Sequence, residues 1–141
     1  MLEISSEILE QIHAQGEGAY PEEGAGFLLG TADGGRRQVT AILELANARE
    51  DAARHNRYLF TPQDYLRGEL EAADLGLDVL GVYHSHPDHP NLPSEFDREW
   101  AMPWFSYVIT SVQAGHAIES RSWLLMDDRS KFVEERVEIR E

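Results

Sequence analysis

The run LDVLGVY at residues 77–83 constrains this 141-residue sequence most, because it leads directly into His84-Ser85-His86-Pro87. A short, strongly apolar run of this kind predicts a buried, central strand. Strand side chains alternate, so His84 and His86 share a face and can converge on one ion. Residues 87–93 contain three prolines and turn the chain back. Ser94-Glu95-Phe96-Asp97 then has the spacing of a helix start, which puts Asp97 in the first turn, within reach of both histidines. Two neutral imidazoles and one carboxylate suit zinc, and three protein ligands leave a fourth tetrahedral position for water. Taken singly, each member has a plainer role. Strand-end histidines often lie on the surface, and Ser94 and Asp97 make an ordinary capping box. A cap alone, however, does not call for two same-face histidines on the preceding strand.

The rest of the chain supplies a frame for that strand. Ser5 or Ser6 caps a first helix with Ile4, Ile8 and Ile12 on one stripe, and Gly16 and Gly18 are expected to end it. Residues 24–30 read as a short apolar strand. A turn on Asp33, Gly34 and Gly35 leads to a second strand at about 38–45. Residues 47–57 are polar and aperiodic, and are expected to form a mobile loop. Thr61-Pro62-Gln63-Asp64 starts a helix carrying Tyr65, Leu66, Leu70 and Ala73 and ending near Gly76. Three further strands are expected near 105–112, 119–126 and 131–139. The order predicts an α/β (α+β) fold, with a mixed β-sheet flanked by helices in one domain spanning residues 1–141.

Composition narrows the function. With 26 acidic and 12 basic residues the formal charge is -14, which argues against nucleic acid or an anionic membrane as partner. The absence of cysteine excludes disulfides, thiolate metal sites and a cysteine nucleophile. No apolar run approaches the roughly 18 residues of a membrane span, and the first residues lack the basic start of a secretory signal. A soluble, cytoplasmic protein is the expectation.

His-Ser-His-Pro, seven residues between the second histidine and Ser94, and Asp97 three further on resemble the JAMM (MPN-plus) metallopeptidase motif without a departure. The family also carries a glutamate just before a short apolar strand ending in glycine, and Glu23 falls in that position. The likeness spans nearly the whole chain and is closest to the small bacterial branch acting on ubiquitin-like sulfur-carrier proteins. It implies an MPN/cytidine-deaminase-like architecture and one Zn²⁺ per chain with a bound water. It also implies His84, His86 and Asp97 as ligands, Glu23 as general base and Ser94 as oxyanion donor. The implied partner is a ubiquitin-like protein with a C-terminal Gly-Gly. Composition alone does not separate Glu23 from Glu22, so the base rests on family spacing.

Three other readings compete. Inactive MPN scaffolds share the fold but lack some ligands, whereas the full set is present here. RadC-like proteins linked to DNA repair carry a similar His-x-His-Pro motif, but typically with asparagine where this chain has Ser85, and the acidic charge opposes a DNA partner. Zinc deaminases need cysteine ligands that this chain lacks. Among other candidates, His89 is expected to be exposed, His13, His55 and His116 to be ordinary surface residues, and Trp100, Trp104 and Trp123 to belong to the core.

Overall fold

The structure, a computed structural model, describes residues 1–45 and 60–141. The segment expected to be a mobile loop, residues 47–57, lies outside the described residues. In chain order the elements are β1 (Leu2–Ser5), α1 (Ser6–Ala19), β2 (Ala25–Asp33), β3 (Arg36–Leu45), α2 (Pro62–Asp74), β4 (Asp78–Pro87), α3 (Glu95–Trp100), β5 (Ser106–Gln113), β6 (His116–Leu125), β7 (Phe132–Glu135) and β8 (Val137–Arg140). They form a mixed α+β fold around one eight-stranded sheet, ordered β7-β6-β5-β4-β2-β3-β1-β8.

The run at 77–83 lies at the heart of this sheet. β4 pairs antiparallel with β2 on one side and parallel with β5 on the other, so it has no free edge. Its side chains alternate from Gly81 onward, after an irregularity opposite Leu28 and Leu29 that leaves Leu80 on the same face as Tyr83. Leu80 and Tyr83 pack beneath α1 with Ile12, Leu28 and Val108, while Val82 joins Phe27, Phe60 and Tyr107 on the opposite face. His84 and His86 continue the Val82 face and Ser85 the Tyr83 face.

Several boundaries differ from expectation. β1 was not foreseen, because Leu2 and Ile4 fit the stripe of a helix equally well. It pairs in parallel with β3 and β8, strands far away in sequence. Ser5 caps α1, its hydroxyl accepting from Ile8 N at 3.1 Å. The helix then runs through Gly16 and Gly18 to Ala19 rather than ending at the glycines. Gly16 is buried because α1 crosses β4 and β5 closely: a Cβ there would stand 3.2 Å from both Ser85 Cβ and Val112 Cγ2. The helix stops instead before Pro21, which has no N–H to continue it. On α2, Leu66 and Leu70 face outward and Gly68 and Ala72 inward, and Tyr65 packs on Phe27 of the sheet.

The strand expected at 131–139 is two strands. β7 pairs with β6 and β8 with β1, at opposite ends of the strand order, although only Arg136 separates them. Laid flat, eight strands would put their edges roughly 33 Å apart at about 4.8 Å per gap. Two Cα steps span about 7 Å. The sheet therefore coils until its edges nearly meet.

Candidate active site

The site forms where β4 emerges from the sheet. His84 and His86 are buried, and their Nε2 atoms lie 3.1 Å apart. Asp97, in the first turn of α3, reaches back so that Oδ1 is 3.2 Å from His84 Nε2 and Oδ2 is 3.3 Å from His86 Nε2. Glu23 arrives from the other side, just before β2. Ala25 sits opposite His84 in the register, so alternation puts Glu23 on the histidine face. It is 4% exposed, and one carboxylate oxygen lies within 4.8 Å of a ring nitrogen of each histidine. Glu22 is half-buried and outside this group.

The capping box is present and its parts serve the site. Asp97 N donates to Ser94 Oγ at 3.1 Å, and Ser94 N donates to Asp97 Oδ2 at 2.8 Å. One carboxylate oxygen thus caps the helix and faces His86. Burial opposes ionisation of Asp97, yet the neighbouring imidazoles hold its carboxyl well below the usual carboxylate range. Burial also pushes the His84 pKa down, against the pull of Asp97, and keeps the ring neutral. His86 Nδ1 lies 2.8 Å from Pro90 O, a contact only an N–H can make, which turns its Nε2 toward His84 and Asp97.

This donor set can be tested for fit to a cation. The Nε2 atoms of two imidazoles and the oxygens of one carboxylate meet at 3.1–3.3 Å. A single proton relieves one of these contacts, whereas a divalent ion relieves all three. Borderline nitrogen and oxygen donors of this kind suit zinc. The imidazole bonded through Nδ1 to a carbonyl is the usual support for a metal-binding Nε2.

A cavity of about 450 Å³ opens beside the cluster, lined by Glu23, His86, His89, Pro90, Leu92, Ser94, Glu95 and Phe96. His89 is exposed, as expected, and forms part of this wall. The loop that carries the wall is fastened to β5 and β6 by residues that sequence reasoning passed over. Asp88, at a φ of 58°, accepts from Ala114 N at 2.8 Å and from the Tyr20 hydroxyl at 2.6 Å. These two donors hold the Asp88 pKa below its ordinary value. Ser111 donates to His89 O at 2.7 Å, and Asn91 donates to Glu119 O at 3.1 Å. Trp123 donates its indole N–H to Asn91 O at 3.0 Å. An asparagine or aspartate among prolines is a turn signal that could have marked Asp88 and Asn91. Nothing local marks Ser111.

The expectations for Trp100, Trp104 and His13 need correction, while Trp123 packs against the core and His116 is exposed as expected. Trp100 and Trp104 are 57% and 64% exposed, on the short α3 and the turn after it, where no layer of the described residues covers them. Trp123 is half-buried. His13 is half-buried rather than a plain surface residue, and its Nε2 lies 2.8 Å from Ser120 Oγ. His116 is exposed, and His55 lies outside the described residues. No helix among the described residues is long and apolar enough to cross a membrane.

A mixed sheet flanked by helices, with two histidines, an aspartate and a glutamate gathered at the end of its central strand, defines a JAMM-type peptidase domain. The chain belongs to the family described as prokaryotic homologs of the JAB domain, which residues 5–126 match. It is 30% identical over 117 residues to a probable TtuB-protein conjugate cleaving protease of Thermus thermophilus, covering 81% of this chain and 74% of that protein. It is 36% identical over 106 residues to a desampylase of Haloferax volcanii, covering 74% and 73%. Among solved structures, a protein from Salinibacter ruber matches with a TM-score of 0.77 at 45% identity, over 100% of this chain and 92% of that one.

Proposed function

We propose that this chain is a zinc-dependent peptidase that cleaves the amide bond after the C-terminal glycine of a ubiquitin-like or sulfur-carrier protein. The observation that carries the reading is the meeting of His84 Nε2, His86 Nε2 and the Asp97 carboxylate at 3.1–3.3 Å, at the wall of a cavity that also presents Glu23 and Ser94. His84, His86 and Asp97 hold the zinc. When bound, such an ion acidifies its water and polarises the substrate carbonyl. Glu23 takes a proton from the attacking water and passes it to the departing amine. Ser94 spends a lone pair on Asp97 N, which leaves its O–H to donate to the carbonyl oxygen as charge builds there.

The substrate class follows from relatives and shape together. The named relatives act on a TtuB-protein conjugate and as a desampylase, which supports a ubiquitin-like acyl partner. β4 pairs with β2 only as far as His84 but with β5 as far as Pro87, so the strand end that carries His86 runs beyond the β2 ladder, where an extended tail can lie beside it. Glycine lets a backbone approach the cluster closely. Only residues 101–105 separate α3 from β5, which leaves no insertion to grip a particular leaving protein. Selection of the leaving group is correspondingly loose. The test is a set of ubiquitin-like proteins ending in Gly-Gly with varied C-terminal extensions, beside a Gly→Ala change at the final glycine. Cleavage after glycine across many extensions, with the alanine form at least tenfold slower, is expected. Equal cutting of the alanine form overturns the tail specificity, and no cutting of any member overturns the substrate class.

A further inference from the structure

His-Ser-His carries a residue that the chemistry above leaves without a task. Alternation turns Ser85 away from the histidine face, toward α1, where it is 3% exposed. There its hydroxyl accepts from Gly24 N at 2.8 Å, while its own backbone N–H donates to Gly24 O at 2.9 Å. Both polar groups of Gly24 are therefore held by one residue of β4. This happens at the point where the chain enters β2, one residue after Glu23.

The grip is reinforced from α1. Gln15 Nε2 donates to Ala25 O at 2.8 Å, and the Tyr83 hydroxyl donates to Gln15 Oε1. The strand that bears both histidines thus fastens, through its two back-facing residues Tyr83 and Ser85, the segment that bears the glutamate. The missing Cβ of Gly16 gives α1 room to close over this junction.

We propose that Ser85 is a positioning residue for Glu23, fixing the glutamate to the same strand as His84 and His86 so that base and ligands keep one spacing. The proposal rests on the reading of Glu23 as the base. Its action is indirect: Ser85 lies on the opposite face from the reacting atoms and reaches them only through the Gly24 backbone. Removing such a support commonly lowers activity about 10–100-fold.

The test compares Ser85→Ala, Ser85→Thr, Glu23→Gln and the double variant Glu23→Gln/Ser85→Ala. The probe is a ubiquitin-like protein whose C-terminal Gly-Gly is amide-linked to a fluorogenic coumarin amine, followed in single turnover. Zinc content and the exchange rate of the Gly24 amide are measured alongside. Ser85→Ala should keep its zinc, hold KM within about twofold, lose kcat about 10–100-fold and expose the Gly24 amide to faster exchange. Ser85→Thr retains the acceptor and should restore both. In the Glu23→Gln background, Ser85→Ala should add less than a further twofold loss, since a group acting only through Glu23 has nothing left to position. Unchanged kcat in Ser85→Ala beside an inactive Glu23→Gln overturns this proposal alone. Loss of zinc, or a full additive loss in the double variant, also overturns it by placing the effect on the ligands or elsewhere. Full turnover in Glu23→Gln overturns the base assignment itself, and the positioning role with it.

Discussion

Ser94→Ala removes one oxygen that serves two neighbours, and the two losses can be separated. Toward the protein, Ser94 Oγ caps α3 by accepting from Asp97 N at 3.1 Å. Losing a serine cap costs about 1 kcal/mol, which in a domain of this size lowers Tm by about 2–5 °C. Toward the substrate, the hydroxyl hydrogen is the proposed oxyanion donor, and one such donor is worth about 10²–10³ in kcat, or about 2.7–4 kcal/mol. Zinc should stay, because the bond from Ser94 N to Asp97 Oδ2 at 2.8 Å is made by the backbone and survives. Two companion variants split the roles. Ser94→Asp restores the cap but cannot donate at neutral pH, so Tm should recover while kcat stays low. Ser94→Thr keeps both functions and should recover both. The assay is turnover of a Gly-Gly amide substrate, with thermal unfolding and zinc analysis on the same preparations. If Ser94→Ala keeps kcat within about threefold while Tm falls, Ser94 is a cap only and the donor role is wrong. If Ser94→Asp turns over like the parent, the oxyanion argument fails even with a slow alanine variant.

Purified protein never exposed to chelator should carry close to one zinc per chain at neutral pH. Occupancy should fall as pH drops, because protons compete for the imidazole lone pairs. Burial lowers the His84 pKa, so metal loss should come at lower pH than for exposed histidines. Zinc loss on raising the pH from 5 to 7 would contradict that sign. Glu23→Gln should keep zinc and lose nearly all turnover, and an inactive Glu22→Gln beside an active Glu23→Gln would move the base one residue upstream. Gly18→Ala adds a methyl in open space and should raise stability by up to about 1 kcal/mol. Gly16→Val meets Ser85 and Val112 and should lower stability by about 1–3 kcal/mol, with urea unfolding as the measure for both.

The site was more legible in the sequence than the fold around it. His84 and His86 obey a two-residue period, and Ser94 and Asp97 a four-residue cap, so each signal is complete within a few residues. Glu23 was harder to place. Its face follows from the register of Ala25 against His84, and that pairing spans about sixty residues of chain. The same limit hid β1: four residues that pair only with β3 and β8 carry no local pattern of their own. Gly16 misled for a related reason. Glycine within a helical pattern reads as a stop, and only the closeness of Ser85 and Val112 explains why it lies inside one. The exposed Trp100 and Trp104 show the converse, since apolar type does not supply a covering layer.

The coiled sheet has a consequence for self-association. An open sheet of eight strands ordinarily offers two long ladders of unpaired backbone groups, the template on which chains pair with one another and polymerise. Here the two outermost strands, β7 and β8, are four residues each and are joined through Arg136. They carry Glu134, Glu135, Glu138 and Arg140 along their short length. Short, charged edges leave little for a neighbouring molecule to extend. Because Arg136 O also accepts from Leu2 N, the link between the two edges is anchored to β1 as well. The fold thereby keeps its own strands from pairing with those of a neighbouring copy at high concentration.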